Sequence, residues 1–538
     1  MDSRVYNTNF REANGALSLG YLLKKGIVSL NGTFYHNLQG IPDGSRDSLS
    51  RKFTEQIYEG EKDDINTRPI VPSSLLNSYK LSPLHQVIKH YRVYGKLFKD
   101  VNGGDINATI AFLQNNRTEY SHPTMTSLPG MNVRLQTLNY DFKYDKFQLF
   151  PDVRLSLGAN GMYQVNKNLT ATDFPIPDYR LADGGIFAFA KWTKNRWTIS
   201  GGLRWDLRHI EWNDFYVIQD GVTGFERQAA YDERDGATLQ FDHFSKNFTG
   251  ISTSIGTTYQ AGDHWDFKFN IARGYRVPNM TELASNGLDP GANIVYLGNR
   301  EFKPEFSLQQ DLGVIARYRD WDMDFSFFNN NISNYIYLSL MTDDTGMPIV
   351  DPQGNRTYQY QQSKGQLYGM EAFVSVHPEV LNGLYWNNSF SVVYGFNRKE
   401  SFKNKGIDGE YLPLIPPARL ASLLRFEIPI SKNGWLKSIT PQYDIDFNAT
   451  QSRFLGLNNT ETKTGGYTLH NFGIFTDWRG AKEKSFSLVL MVQNLFDKAY
   501  QSNMSRLKYL EYYSASPGGH SGIYNMGRNI TVKLLYPF

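Results

Sequence analysis

The 538-residue chain contains no cysteine, which excludes disulfide staples and cysteine-ligated metals and leaves the redox compartment open. No apolar run approaches the roughly 20 residues that a membrane-crossing helix needs. Neither charge dominates. There are 56 basic and 53 acidic residues, and the formal net charge of +3 is too even to mark a nucleic-acid partner. The ten histidines are scattered, without an HExxH or a close cluster of the kind that holds zinc. His85 and His90 lie five apart on an expected strand and face opposite sides. There is no P-loop, no GxSxG elbow and no glycine-rich dinucleotide turn, so no catalytic residue, resident metal or cofactor is expected. The repeat period of a propeller or solenoid is also missing. Met1-Asp2-Ser3-Arg4 opens into polar sequence without the apolar core of a secretory leader.

What the chain does have is alternation. Over residues 196–209, Trp197, Ile199, Leu203, Trp205 and Leu207 share one parity, and Thr198, Ser200, Arg204, Asp206 and Arg208 the other. Trp265, Phe267, Phe269 and Ile271 alternate with Asp266, Lys268 and Asn270; Trp321, Met323, Phe325 and Phe327 alternate with Asp322, Asp324 and Ser326. Period two means β-strands with one apolar and one polar face. Aromatics make up 14% of the chain, with 34 Tyr and 35 Phe, which suits the aromatic girdles of a transmembrane barrel. A barrel also reconciles a membrane location with a polar mean composition, because half of its strand positions face a wet or plugged interior.

The connections give the topology. Short turns are expected near residues 24–26, 100–104, 144–146, 194–195, 262–263, 319–320, 378–383, 431–434 and 480–484. Long connections are expected near 39–84, 167–183, 213–236, 276–304, 341–356, 399–416, 451–465 and 501–521. Gly, Asp, Asn and Lys at the tight turns supply the positive-φ positions of hairpins. Counting back from a last strand at 522–538 that descends to the periplasm, the short turns fall on the periplasmic side and the long loops outside. The expected fold is an all-β transmembrane antiparallel barrel of about 19 strands. Bacterial single-chain barrels have even strand numbers, and open edges in lipid are costly. Residues 1–538 are therefore expected to be an N-terminally incomplete barrel domain, with 19 of 22 strands and no plug or signal peptide.

Several motifs occur in order. Arg273-Gly274-Tyr275-Arg276-Val277-Pro278-Asn279-Met280-Thr281-Glu282-Leu283 resembles the FRAPN-x-xEL box of TonB-dependent outer-membrane receptors. Leu297-Gly298-Asn299-Arg300-Glu301-Phe302-Lys303-Pro304-Glu305 resembles the GNxxLKPE box that follows it. The stretch Gly365–Glu371 fits the family's inward-turning G-x-E strand. Asn494-Leu495-Phe496-Asp497-Lys498-Ala499-Tyr500 resembles the NLFDKxY box of the penultimate strand, and Gly527-Arg528-Asn529 the GR(N/T) that opens the last. That strand carries Ile530, Val532, Leu534, Tyr536 and Phe538 on one parity. Its terminal aromatics, Tyr536 and Phe538, look like the signal by which barrels are handed to the assembly machinery.

The resemblance implies an outer-membrane receptor with lipid and the barrel assembly machinery as partners. It also implies a TonB complex acting through a plug that is missing from this chain. The implied cargo is a scarce, bulky small-molecule chelate, such as a ferric siderophore, haem or another metal complex. Loop residues Tyr296, Arg300, Tyr509, Tyr512 and Tyr513 are candidate contacts for it, each also suited to loop packing. Arg276 and Glu282 are expected to pair near the rim. A passive porin-like channel and a surface-binding barrel without transport are the other readings.

Overall fold

A computed structural model of the chain describes residues 4–42, 44–64, 66–101, 103–352, 354–431, 434–480, 485–509 and 522–536. One sheet runs through 22 strand segments, antiparallel except where the short segment Ile294–Leu297 joins in parallel. Two of them, Asn286–Asp289 and Ile294–Leu297, form a hairpin inside a loop, and Ile428–Pro429 continues its predecessor past a break. Nineteen barrel strands remain among the described residues, the number expected. The first eight are β1 (Phe10–Leu23), β2 (Gly26–Gly40), β3 (His85–Val101), β4 (Gly104–Tyr120), β5 (Met131–Phe150), β6 (Val153–Asn168), β7 (Tyr179–Lys194) and β8 (Trp197–Trp212). Next come β9 (Phe244–Ala261), β10 (Trp265–Arg276), β11 (Glu305–Arg317), β12 (Trp321–Leu340), β13 (Arg356–Val376) and β14 (Leu384–Asn397). The last are β15 (Arg419–Phe426), β16 (Leu436–Asn448), β17 (Tyr467–Arg479), β18 (Ser485–Gln493) and β19 (Asn529–Leu535). Each strand pairs antiparallel with its sequence neighbours. Among the described residues β1 pairs only with β2, and β19 only with β18.

Connections alternate short and long without exception along these strands. Asn195 and Gly262 take positive φ (52° and 80°) in the tight turns after β7 and β9, as hairpins of that length demand. The apolar parity points outward: Leu203, Trp205 and Leu207 are exposed on β8, and Ile530, Val532 and Leu534 on β19. In water such a surface would be an aggregation hazard; around a barrel it is the lipid face. The inward parity is polar and cross-linked. Arg204 Nε donates to Asp206 Oδ1 at 2.8 Å, Arg204 Nη2 reaches Asn160 Oδ1 at 2.8 Å, and Arg208 pairs with Asp183. Glu371, whose register partners are Ser326 and Ser391, shares this inner parity.

The apolar core lies at the loop end of the barrel. Phe174, Trp212, Phe215, Phe241, Leu283 and Phe302 are central to a buried cluster that joins loops 169–178, 213–243 and 277–304 to the strand ends beneath them.

Three boundaries differ from expectation. No turn forms at 144–146: β5 runs on to Phe150, and the extra residues are absorbed as a bulge between Tyr144 and Phe147, with Lys146 at φ 57°. A positive-φ residue next to an Asp is equally at home in a bulge and in a hairpin turn. A further loop at 121–130 separates β4 from β5. The last strand is shorter than 522–538. Residues 522–528 approach β19 as non-strand chain, and Phe538 lies outside the described residues.

Candidate functional site

The motif residues build the scaffold of the loop-side mouth. β10 ends at Arg276, and Pro278, almost wholly buried, stops it. Asn279 then caps the short helix Met280–Ala284. Its Oδ1 accepts the Glu282 N–H at 2.9 Å, and Glu282 Oε2 accepts the Asn279 N–H at 2.7 Å, a reciprocal capping box. Arg276 Nη1 donates to both Glu282 carboxylate oxygens, at 3.0 and 2.9 Å, while its Nε donates to Glu305 at the start of β11. The Arg276–Glu282 pair expected from the sequence is therefore one half of a clamp on two buried carboxylates. Glu305 Oε1 also accepts the Ile336 N–H from β12 at 2.6 Å. Gly298 N donates to Ser285 O at 2.7 Å and Asn299 N to Glu282 O at 2.8 Å, which closes the loop on the helix. A Cβ on Gly298 would stand 2.8 Å from the carbonyl carbon of Leu283, so only glycine permits this approach. Pro304 O receives the Asn334 amide at 2.9 Å.

The two C-terminal boxes meet in the same way. Asn494 closes its own turn, accepting the Lys498 N–H at 2.8 Å and donating to Lys498 O at 2.9 Å. Leu495 N donates to His470 O at 2.7 Å, and Phe496 sets its ring edge against His470. Asp497 Oδ1 accepts the Arg528 N–H at 2.8 Å, and Arg528 Nε donates to Leu495 O at 2.9 Å. Gly527 leaves room for that Asp497 oxygen, which would stand 2.6 Å from an added Cβ. The Tyr500 ring packs against Tyr467, with centroids 4.5 Å apart and planes tilted by 39°. Tyr536 is about half exposed beyond the lipid-facing row.

Above this scaffold three segments converge. The loop strand Ile294–Leu297 adds in parallel to the outer end of β13, with Tyr296 opposite Tyr358. The Tyr296 ring lies over Tyr360, with centroids 6.4 Å apart and planes at 28°. Arg506, from the loop between β18 and β19, reaches the Tyr296 hydroxyl at 3.5 Å. Nearby, the Tyr509 hydroxyl accepts the Thr462 N–H at 3.3 Å. Burial raises the Tyr296 phenol and pushes Tyr509 up to about 12, so both remain neutral donors at any physiological pH. Burial also lowers Lys508 to about 8; its Nζ donates to Thr464 Oγ1 at 2.6 Å and Thr462 O at 3.1 Å. On the other face of β13, where Gln359 and Gln361 alternate with Tyr358 and Tyr360, a cavity of about 290 Å³ is lined by Tyr337, Ser339, Gln359, Gln361, Lys399 and Asn458. The aromatic faces and guanidinium of the Tyr296–Tyr360–Arg506 patch suit a flat, polar or anionic ligand.

Of the five candidate contacts, Tyr296 and Tyr509 belong to this region. Arg300 is engaged elsewhere: its guanidinium pairs with Asp242, and its carbonyl accepts Lys246 Nζ at 3.2 Å. Tyr512 and Tyr513 lie outside the described residues. Tyr360, Arg506 and the glutamines of β13 were not anticipated. The signal for Tyr360 and the glutamines was strand length. β12 and β13 run 20 and 21 residues, about twice what crossing a bilayer takes, so their outer halves rise into the loop region.

A second buried polar group ties four loops together. His122 Nδ1 lies 3.0 Å from Glu59 Oε2 and its Nε2 lies 2.8 Å from Thr172 Oγ1, which in turn donates to Asp173 Oδ2 at 3.1 Å. Phe225 packs on the imidazole at 4.1 Å. This carboxylate–imidazole–hydroxyl series is closed in by the loops; His122 and Thr172 are buried, and the series works as a tie. Burial pushes the Asp173 carboxyl up to about 7.

A nineteen-strand sheet with an apolar outer face, a polar inner face and long loops packed over one end defines a membrane receptor or transporter barrel. The profile of the TonB dependent receptor-like β-barrel family matches residues 5–495, and the chain belongs to that family. Barrels of this family are outer-membrane proteins of Gram-negative bacteria.

Among curated relatives, the chain is 24% identical to the probable TonB-dependent siderophore receptor PirA of Acinetobacter baumannii, over 42% of this chain and 30% of the relative. It is 25% identical to the ferrienterobactin receptor of Escherichia coli K12, over 48% and 34%, and 22% identical to the TonB-dependent heme receptor A of Haemophilus influenzae, over 49% and 36%. Each match spans about a third of the relative's own length. Among solved structures, the copper transporter OprC aligns with a TM-score of 0.71 at 15% identity, covering 99% of this chain and 73% of that one. The ferric-catecholate import receptor Fiu of E. coli K12 aligns at 0.67 and 13%, covering 99% and 76%.

Proposed function

We propose that the chain is the barrel of an outer-membrane receptor for TonB-energised uptake of a small-molecule metal chelate, a ferric siderophore or haem first among them. The observation that carries this reading is the Tyr296–Tyr360–Arg506 patch, set at the loop-side mouth of a barrel of this family. Such a surface offers stacking and cation–π contacts to an aromatic, anionic chelate, each worth about 0.5–1.5 kcal/mol. The curated relatives, a probable siderophore receptor, a ferrienterobactin receptor and a haem receptor, point the same way. The loops bind the chelate, the polar lumen forms the route, and TonB acts through a plug held against the lumen wall.

The test expresses the receptor in a strain lacking its own chelate receptors and measures uptake of iron-loaded catecholate and hydroxamate chelates and of haem, with and without TonB. At least one should be taken up in a TonB-dependent manner, and Tyr296→Ala with Arg506→Gln should weaken its binding about tenfold or more. Uptake that persists without TonB, for every solute below a size limit, would instead define a passive channel.

A further inference from the structure

The lipid-facing parity is apolar through the middle of the barrel, but on one side it carries a row of cations. His36 on β2 is the register partner of Lys89 on β3; Lys89 pairs with Asn116 on β4, Asn116 with Arg134 on β5, and Arg134 with Lys167 on β6. Arg180 on β7 stands opposite Val165, one same-face position along β6 from Lys167. His36, Lys89, Arg134, Lys167 and Arg180 are all exposed, and each lies one to four residues from the loop-side end of its strand. On the same parity, toward the membrane centre, lie Phe34, Tyr91, Leu138, Tyr163 and Ile186, all exposed. The cations therefore stand just above the apolar band, at the level of lipid headgroups.

Directly opposed like charges destabilise a sheet, and Arg134 and Lys167 are directly opposed. Among the described residues neither they nor Lys89 has an ion-pair partner. Arg180 lies 3.7 Å from Glu211, a carboxylate that His209 shares at 3.4 Å. Neighbouring strands are about 4.8 Å apart, so the groups from Lys89 to Arg180 span a width suited to a headgroup with more than one phosphate. Arginine and lysine are the side chains that meet phosphate with charge-assisted hydrogen bonds. We infer that the loop-side outer wall of β3–β7 is a binding site for the phosphorylated glycolipid of the outer leaflet. Arg134 and Lys167 would grip one phosphate between them, Lys89 and Arg180 would flank it, and the acyl chains would lie on the aromatic and aliphatic band below. The site depends on the barrel standing in the outer membrane with its long loops outside; it does not depend on the cargo.

The test isolates the receptor from outer membranes in mild detergent, washes it with excess detergent and quantifies retained glycolipid by native mass spectrometry. The wild type should retain phosphorylated glycolipid, and R134Q/K167Q should lose at least tenfold of it. K194Q, which removes a cation at the opposite end of β7, should retain it fully. Chelate binding by R134Q/K167Q should be unchanged, which separates this site from the proposed cargo site. In a second arm, delipidated receptor is titrated with intact and with phosphatase-treated glycolipid. The treated lipid should bind at least tenfold more weakly, and millimolar inorganic phosphate should not displace the intact one. Equal retention by the variant, equal binding of the dephosphorylated lipid, or displacement by free phosphate would each overturn the assignment. If the double variant fails to assemble, K167Q alone decides, with an expected loss of threefold or more.

Discussion

Arg276 offers the sharpest test of how the barrel holds its mouth in shape. Replacing it with Met keeps most of the aliphatic volume and removes the cation from between two carboxylates. Glu282 and Glu305 have side chains only 8% and 11% exposed, so both would be left buried without their counter-charge. Breaking a buried pair from one side costs roughly 3–5 kcal/mol. The Arg276 side chain is 43% exposed, which places the expected cost at the low end, about 3 kcal/mol. At 1.4 kcal/mol per decade that is on the order of a hundredfold in the local opening of loop 277–304. Hydrogen exchange on the detergent-solubilised receptor reads this directly. Amides of the helix Met280–Ala284 and of the strand Ile294–Leu297 should exchange about a hundredfold faster, while the tight-turn ends of β9–β12 keep their protection. Because Tyr296 rides on that loop, chelate binding should fall with it. Arg319→Gln is the control: it breaks an exposed pair with Glu379 between two tight turns and should cost at most about 1 kcal/mol. Unchanged exchange in Arg276→Met would show that the loop is held by the apolar cluster around Leu283 and Phe302 alone, and the clamp assignment would fall.

Gly298→Ala should destabilise the same loop by roughly 1–3 kcal/mol, because its Cβ meets the main chain of Leu283, which cannot give way; normal thermal stability would refute this contact. Asp173, pushed up to about 7 and facing the charges of Glu226, Asp351 and Glu119, should make its loops pH-sensitive. The folded loops keep a proton that the unfolded chain has released by about pH 4–5, so that stabilisation is lost as pH rises towards 7. Loops 121–130 and 169–178 should therefore be better protected at pH 5 than at pH 8, and Asp173→Asn should flatten the difference in an exchange experiment corrected for intrinsic rates. Asp497→Ala removes the acceptor of the Arg528 N–H and should cost about 1–2 kcal/mol, seen as a lower unfolding temperature of the barrel without altered chelate affinity. Tags inserted near Asp63, Asp232 or Thr345 should be reachable from outside intact cells and tags at Lys194 should not; the reverse pattern would invert the topology.

The sequence alone determined the barrel, its strand number and the alternation of short and long connections, because each rests on a local property. Strand parity is a period-two signal that survives whatever the strand pairs with, and tight turns announce themselves through Gly, Asn and Asp. Where a local signal had two solutions, tertiary pairing decided: the Asp145-Lys146 pair reads as a turn but is a bulge, because β6 pairs with β5 on both sides of it. The motif boxes were legible as strings, yet their purpose was not. That Arg276 holds Glu305 as well as Glu282, and that Asp497 fastens the chain at Arg528, depends on segments 29 and 31 residues apart in sequence.

The mouth was least legible of all. Tyr296 could be singled out as a loop aromatic. Its neighbours Tyr360 and Arg506 come from an overlong strand and from a loop more than two hundred residues away, and Arg300, close by in the same loop, was drawn off to Asp242. A side chain's availability to a ligand is set by which partners the closing sheet brings within hydrogen-bond reach, a non-local property that composition and periodicity do not carry. The cation row on the outer wall follows the same rule: parity makes each residue lipid-facing, and only the register of β2 to β7 sets them side by side.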